Sequence, residues 1–321
     1  MNAATLKVRV ARKSVEALDI CTFELVAADG GALPSFSAGS HVDVHVPGGI
    51  TRQYSLCNDP SESHRYLIGV LKDPATRGGS KAMHERLKEG DALDIGAPKN
   101  HFALAHEARR HLLLAGGIGV TPILCMAERL AVMGANFEMH YCTRSRERTA
   151  FVERIAGSSF AARVSHHFDD GPEAQKLDIA SLLAAPQPGT HVYVCGPKGF
   201  MDAVLGTARA SGWPEAQLHF EFFSAAPTAT ESDGGFEVQL ASSGRVIAVP
   251  KDKSVVQALA AAGVEVMTSC EQGVCGTCLT RVLEGEPDHR DVYLTPEEQA
   301  ANDQFTPCCS RSKSARLVLD L

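Results

Sequence analysis

Five of the chain's ten cysteines crowd into its last third, and three of them share a short loop. The run Ser269-Cys270-Glu271-Gln272-Gly273-Val274-Cys275-Gly276-Thr277-Cys278 has the spacing C-x4-C-x2-C. Cys308 follows after 29 intervening residues, with Cys309 beside it. Four thiolates in this pattern suit a 2Fe–2S cluster, for which a tight loop supplies three sulfurs and a distant segment the fourth. Gly273 and Gly276 let the loop turn so that backbone N–H groups face the sulfurs. A structural zinc site ordinarily shows two short CxxC pairs, and only Cys275/Cys278 is one here. Spacing favours Cys308 as the fourth ligand, with Cys309 as the alternative. The expected metal ligands are therefore Cys270, Cys275, Cys278 and Cys308.

A second chemistry is written in two glycine turns. His111-Leu112-Leu113-Leu114-Ala115-Gly116-Gly117-Ile118-Gly119-Val120-Thr121-Pro122 reads as strand, turn and helix start. Gly117 and Gly119 would let a pyrophosphate approach the backbone and the positive end of the helix. Pro122 suits a first helical turn, where a missing N–H is no loss. The full G-x-G-x-x-G is absent, and any tight strand-to-helix connection could need such glycines. Val194-Cys195-Gly196-Pro197 supplies a second turn of the same kind, expected to line the same crevice. A third strand end, Thr143-Arg144-Ser145-Arg146-Glu147-Arg148, has three arginines where an acidic residue for an NAD ribose is expected. They leave room for a 2′-phosphate, so NADPH stands beside NADH.

A nicotinamide gives two electrons as hydride, whereas a 2Fe–2S cluster takes one. A flavin is the cofactor that joins these two chemistries. Its candidate site is Arg52-Gln53-Tyr54-Ser55 on an expected strand, with a phosphate fork, a flat ring and a hydroxyl. Gly78-Gly79-Ser80 before a helix adds an anion-binding start.

The elements that must hold these groups change along the chain. The first ~105 residues are β-rich, with strands expected at 6–10, 21–26, 41–46, 52–56, 66–71 and 92–95, in the spacing of a barrel or sandwich. In the third of these, Val42, Val44 and Val46 point one way and His41, Asp43 and His45 the other. A helix is expected over 80–87. From residue ~110 strands at 111–115, 137–142 and 192–195 alternate with helices at 122–133 and 198–211, the pattern of a parallel sheet. Ser224–Gly235 is small, polar and aperiodic, which marks a linker. Strands at 236–240 and 245–249 and a helix at 254–262 precede the cysteine loop. Cys21, Cys57, Cys125 and Cys142 sit singly in apolar contexts and read as buried thiols.

The formal charge is −7, from 31 Lys+Arg and 38 Asp+Glu. From Ala226 onward there are 14 acidic and 8 basic residues, so −6 of the −7 falls there. No basic field is present for nucleic acid. An acidic module suits a basic protein partner, and Asp288, Asp291, Glu297, Glu298 and Asp303 are candidates for its rim. No stretch reaches the ~18 apolar residues of a membrane span, and the N-terminus shows no apolar signal segment. The expected place is the cytoplasm.

Taken together, these motifs resemble the phthalate dioxygenase reductase family, over almost the whole chain and in family order. The matching residues are Arg52-Gln53-Tyr54-Ser55, Gly78-Gly79-Ser80, Gly116 to Pro122, Cys195-Gly196-Pro197, His219-Phe220-Glu221-Phe222-Phe223 and the cysteine loop. The resemblance implies a ferredoxin-reductase-like antiparallel β-barrel (1–106), a Rossmann-like parallel α/β nicotinamide domain (107–225), a linker (226–235) and a β-grasp plant-type ferredoxin domain (236–321). It implies FMN, a 2Fe–2S cluster and usually NADH. FMN would lie on Arg52, Gln53, Tyr54, Ser55, Val70, Lys72, Gly79 and Ser80, with Glu221 and Phe223 near the flavin. NADH would lie on Gly117, Ile118, Gly119, Thr121, Pro122, Thr143, Arg144, Ser145, Cys195, Gly196 and Pro197, its nicotinamide near Cys195. No residue is required as an acid, base or nucleophile. The implied partner is a Rieske-type oxygenase acting on an aromatic acid such as vanillate or phthalate, and the implied state is a monomer. Two rivals are a self-contained NAD(P)H-dependent reductase with another acceptor and a cluster-bearing carrier without hydride chemistry.

Overall fold

The computed structural model describes residues 5–73, 78–223 and 233–321. The chain divides into two compact units, Met1–Glu221 and Phe222–Leu321. Of the expected linker at 226–235, residues 226–232 lie outside the described residues.

The first unit opens with seven strands: β1 (Thr5–Ala17), β2 (Ile20–Ala27), β3 (Ser40–Val46), β4 (Ile50–Ser55), β5 (Tyr66–Leu71), β6 (Ala92–Gly96) and β7 (Lys99–Asn100). Six pair antiparallel in the order β4-β3-β6-β1-β2-β5, and β7 pairs with β3. Leu56, just past β4, bridges Ile68 of β5, so the two ends of the order meet and the sheet closes as a barrel. Alternation turns Val8, Val10, Phe23, Leu25, Val42, Val44, Ile68 and Ile95 into its core. Helix α1 (Gly79–Arg86) adds Ala82 and Met83 to that core. The polar face expected for β3 is not solvated throughout. His41 is 4% and Asp43 8% exposed. Strand β7 pairs across Ser40 and His41, and Lys99 holds Asp43 at 2.7 Å.

Five parallel strands follow in the same unit: β8 (Arg110–Gly116), β9 (Asn136–Thr143), β10 (Val164–Phe168), β11 (Thr190–Cys195) and β12 (Leu218–Glu221). Their order is β10-β9-β8-β11-β12, with helices α2 (Val120–Val132), α3 (Val152–Ala156), α4 (Ile179–Leu182) and α5 (Lys198–Ala210) between them. Right-handed crossovers send α2 and α5 to opposite faces, because β8 continues to one side and β11 to the other. The edge strands β10 and β12 escape sequence reading. Val-Ser-His-His-Phe and Leu-His-Phe-Glu are short, half-exposed and lack the apolar run of the central strands.

The second unit holds β13 (Phe236–Leu240), β14 (Val246–Val249), β15 (Thr280–Glu284), β16 (Pro287–Asp288), β17 (Gln304–Phe305), β18 (Arg311–Ser312) and β19 (Arg316–Leu319). The main sheet runs β14-β13-β19-β15-β17, with β13 and β19 parallel. Helix α6 (Val255–Ala261) starts at a Ser254/Gln257 capping box and packs Val255, Ala258 and Leu259 into one core with Val238, Val249 and Leu317. A sheet grasping one helix is the β-grasp arrangement the family resemblance implied. A second capping box, Thr295 with Glu298, starts α7 (Pro296–Ala301). No helix of the described residues is long and apolar enough to cross a membrane.

Candidate functional site

Strand order in the parallel sheet reverses between β8 and β11, and ligands bind beyond the carboxyl ends of strands at such a point. The two glycine turns meet there. Ala115 is paired with Cys195 in register, and a Cβ on Gly119 would overlap the Cys195 carbonyl. Gly116 and Gly196 face each other, with Phe200 against both. Any side chain at these positions would fill the cradle, so the residues present fit a pyrophosphate. Thr121 is buried and its hydroxyl donates to the Ile118 carbonyl at 3.1 Å, closing the turn before Pro122. Cys195 is fully buried, and burial together with the Glu221 carboxylate holds its thiol well above its usual range. It is a neutral thiol at the carboxyl end of β11.

At the neighbouring strand end, buried Thr143 donates to the Ser145 carbonyl at 3.2 Å and lies 2.7 Å from the Thr149 hydroxyl. Arg144 and Arg146 are exposed, whereas Arg148 pairs with Asp19 of the barrel at 3.4 Å. Sequence reading missed the acidic residues beside them. Asp169 and Asp170 follow β10 and donate their backbone N–H groups to the carbonyls of Thr143 and Arg144. Recognising β10 as a strand was the signal that could have found them.

In the barrel, the Arg52 side chain lies across Gly79 at the start of α1; a Cβ there would stand 2.8 Å from Arg52 Cγ. A guanidinium fork beside a helix N-terminus fits a phosphate. The half-buried Tyr54 packs on the barrel core, and burial pushes its hydroxyl up to about 12. Gln53 donates to Asp43 at 3.0 Å. Ser80 Oγ accepts from the Asp73 N–H at 3.3 Å. Val70 is wholly buried, and its carbonyl meets His84 Nε2 at 2.8 Å. Lys72 pairs with Glu85 at 3.0 Å. Gly69 was missed: a Cβ there would meet Thr121 Cγ2 at 2.8 Å and Phe151 Cζ at 3.1 Å, so the barrel packs on the parallel sheet through it. A glycine inside a strand is the signal of such a close approach.

Ser55 donates to Glu221 Oε2 at 3.3 Å, and His41 Nδ1 lies 4.0 Å from Glu221 Oε1. The Glu221 side chain is 16% exposed. Burial raises its carboxyl to about 7 against the opposing Ser55 hydrogen bond. Phe223 is half-buried and falls in the second unit.

In that unit the Cys270 sulfur is in hydrogen-bond contact with Cys275 and Cys308, and Cys278 with Cys308. These contacts hold the Cys270 and Cys278 thiols below their usual range and push Cys275 and Cys308 above it. Gln272 N–H donates to Cys270 Sγ at 3.3 Å, and the Thr277 hydroxyl lies 3.2 Å from Cys275 Sγ. Gly273 and Gly276 have φ of +71° and +67°. A Cβ on Gly276 would overlap the Tyr293 ring, and one on Gly273 the Cys309 sulfur. Among the described residues no three His, Cys, Asp or Glu side chains meet around a single ion. A two-iron cluster asks for two thiolates per iron, and this donor set fits it. Of the five acidic candidates for a rim, Asp291 turns inward, accepting from Leu294 N–H at 2.8 Å and Ser310 Oγ at 3.3 Å. Asp288 pairs with Arg290 at 2.6 Å, and Glu298 caps α7. Glu297 and Asp303 are exposed.

A barrel with a phosphate cradle, a dinucleotide-type crevice and a 2Fe–2S loop on one chain define an electron-transfer oxidoreductase. The model of the 2Fe-2S iron-sulfur cluster binding domain matches residues 238–313, and that of the N-terminal domain of dimethylamine monooxygenase subunit DmmA-like proteins matches residues 98–218. The vanillate O-demethylase oxidoreductase of Pseudomonas putida is 61% identical over 313 residues, 97% of this chain and 98% of that protein. The phthalate dioxygenase reductase of Burkholderia cepacia is 41% identical over 98% of this chain and 97% of its own. The solved structure of a phthalate dioxygenase reductase, described as modular for electron transfer from pyridine nucleotides to [2Fe-2S], superposes with a TM-score of 0.82 at 40% identity, covering 99% of this chain and 98% of that one. The chain belongs to the family of the vanillate O-demethylase oxidoreductases and phthalate dioxygenase reductase.

Proposed function

We propose that this protein is the reductase component of a two-component Rieske-type oxygenase or O-demethylase acting on an aromatic acid, with vanillate the first substrate to test. The observation that carries the reading is one chain holding both a two-glycine crevice at a strand-order reversal and four convergent cysteine sulfurs. In this reading residues 1–106 bind FMN, 107–225 bind NADH and 236–321 bind the cluster, and the protein is a cytoplasmic monomer.

FMN, when bound, supplies the conversion between a two-electron hydride and single electrons. Arg52, Gly79 and Ser80 hold its phosphate, and Gln53, Tyr54 and Ser55 orient its ring, with Val70 contributing backbone and Lys72 charge. Gly117, Ile118, Gly119, Thr121 and Pro122 cradle the nucleotide pyrophosphate, and Cys195, Gly196 and Pro197 line the nicotinamide side. Thr143, Arg144 and Ser145 face the adenosine end. Asp169 and Asp170, whose backbone N–H groups bond the Thr143 and Arg144 carbonyls, bring acidic residues to this strand end and support NADH over NADPH. Cys270, Cys275, Cys278 and Cys308 hold the cluster, and N–H donors such as Gln272 tune its potential. Catalysis is then positioning and electrostatics, with no nucleophile.

Anaerobic addition of NADH to the yellow-brown protein should bleach its visible spectrum, and extraction should release FMN. Mixed with the oxygenase component and vanillate, it should support demethylation coupled to NADH oxidation. A protein that stays coloured with NADH would rule the reading out.

A further inference from the structure

Strand β5 ends at Leu71, and Val70 and Lys72 at that end belong to the flavin site proposed above. Gly69 precedes them. Alternation turns Tyr66, Ile68 and Val70 into the barrel core, so position 69 faces the other way, where it is nevertheless buried. A Cβ at Gly69 would stand 2.8 Å from Thr121 Cγ2, 3.1 Å from Phe151 Cζ and 3.5 Å from Ile118 Cδ1. Ile118 and Thr121 belong to the glycine turn that cradles the pyrophosphate in the same reading. Gly69 is thus the point where the strand beside the flavin touches the turn beneath the nucleotide. Neither close neighbour can step aside. Thr121 is 1% exposed and β-branched, and its hydroxyl is tied to the Ile118 carbonyl at 3.1 Å. Phe151 is 2% exposed with a φ of +61°, which a bulky residue adopts only where its surroundings enforce it. A second fastening lies alongside. Asp19, with a φ of +62°, accepts the Lys72 N–H on its carbonyl at 2.7 Å, and its carboxylate pairs with Arg148 at 3.4 Å. Next to it, the Leu18 N–H donates to the Glu147 carbonyl at 2.8 Å. Two of the four non-glycine residues with positive φ among the described residues therefore sit at this one junction.

We infer that Gly69 is a positioning residue for hydride transfer: its missing side chain sets the spacing between the flavin strand and the nucleotide turn, and Phe151 and Asp19 hold that spacing. This rests on the reductase reading above. Relaxing a 2.8 Å approach to an ordinary carbon–carbon contact of ~3.5–4.0 Å takes a displacement of about 1 Å. Thr121 and Phe151 are fixed, so the displacement falls on β5 and moves the barrel away from the turn. Reacting atoms must come within ~3–3.5 Å, and a misplacement of ~1 Å costs on the order of 10²-fold in rate. Affinity follows a different rule. A methyl at Gly69 removes no group that holds either phosphate, so each half of the site keeps its own hold on its ligand.

The test uses the full chain with FMN and cluster, mixed anaerobically with saturating NADH while visible bleaching is followed. Gly69→Ala should bleach at least about tenfold more slowly than the unmodified protein, with its Kd for a non-reducing NADH analogue changed by no more than about threefold. Thr121→Ser removes the methyl that the new Cβ meets and keeps the hydroxyl. Combined with Gly69→Ala, it should bring the bleaching rate to within about threefold of Thr121→Ser alone. The contact is also read without NADH. Gly69→Ala should lower the melting midpoint of the holoprotein by about 3 °C or more, and adding Thr121→Ser should return most of that drop. Where Gly69→Ala fails to retain FMN, the double variant measured against Thr121→Ser decides, and a double variant that is slow or lacks FMN overturns the inference. Bleaching of Gly69→Ala at the unmodified rate overturns it too. Absence of bleaching in the unmodified protein overturns the reductase reading instead.

Discussion

At Cys308 and Cys309 two adjacent thiols meet different surroundings. The Cys308 sulfur contacts Cys270 and Cys278, whereas the Cys309 sulfur lies 3.2 Å from the Thr306 hydroxyl and 3.8 Å from that of Ser310. It sits under Gly273, filling the space a Cβ would need. Cys308→Ser is expected to abolish the visible absorption of the cluster and its bound iron, and Cys309→Ser to keep both; the reverse pattern in spectra and iron assays would reassign the ligand. The remaining sulfurs were legible from spacing alone. His41 and Gly69 were not, because one looked like a solvated strand residue and the other like a weak one. Each acquires its role from a neighbour distant in sequence: Glu221 for His41, Thr121 and Phe151 for Gly69.

The parallel sheet carries two consequences at the scale of elements. Gly119 has an ordinary helical φ, so it is glycine for space and not for conformation. Gly119→Ala would drive a methyl into the Cys195 carbonyl. The expected result is at least a tenfold weaker Kd for an NADH analogue, measured by titration, with the cluster spectrum intact. The same sheet buries histidines. His111 stacks near Tyr193, Tyr193 on His219, and His219 Nε2 lies 2.8 Å from His191 Nδ1. Burial lowers His111 from 6.5 to about 4, and His140, His166 and His219 are lowered for the same reason. The unfolded chain therefore takes up protons first as pH falls. The stability these histidines contribute is complete above pH ~6.5 and is lost towards pH ~4, with His111 alone contributing up to ~3 kcal/mol, while Glu221, raised from 4.5 to about 7, acts in the opposite sense. Urea midpoints at pH 7.5 and 5 would read this, and His111→Phe should lessen the drop. The central strands were legible as apolar runs. The edge strands were not, because their stability comes from pairing with β9 and β11 and not from their own composition.

For the whole molecule, −6 of the −7 net charge lies from Ala226 onward, with the cluster loop. The structure narrows the part of that charge free to meet a partner, since Asp291 and Asp288 serve internal contacts and Glu298 caps a helix. Of the five candidates for the rim, exposed Glu297 and Asp303 remain. Electron transfer to the oxygenase should slow severalfold as salt rises from ~20 to ~500 mM, where screening removes long-range steering. Glu297→Gln/Asp303→Asn should flatten that dependence in stopped-flow assays. A rate indifferent to salt in the unmodified protein would confine the acidity to solubility.

By itself the sequence determined the chemistry that depends on local order: the cysteine spacing, the two glycine turns, the RQYS strand and the order in which they follow one another. These are legible because a loop's thiolates and a turn's glycines act within a few residues of each other. Only the tertiary structure decided which distant groups share a site. It closed the barrel at Leu56 and Ile68, brought Gly119 against Cys195, set Asp170 beside Arg144, and placed Glu221 between Ser55 and His41. Such pairings depend on strand order and register, which a one-dimensional pattern of side chains does not encode residue by residue.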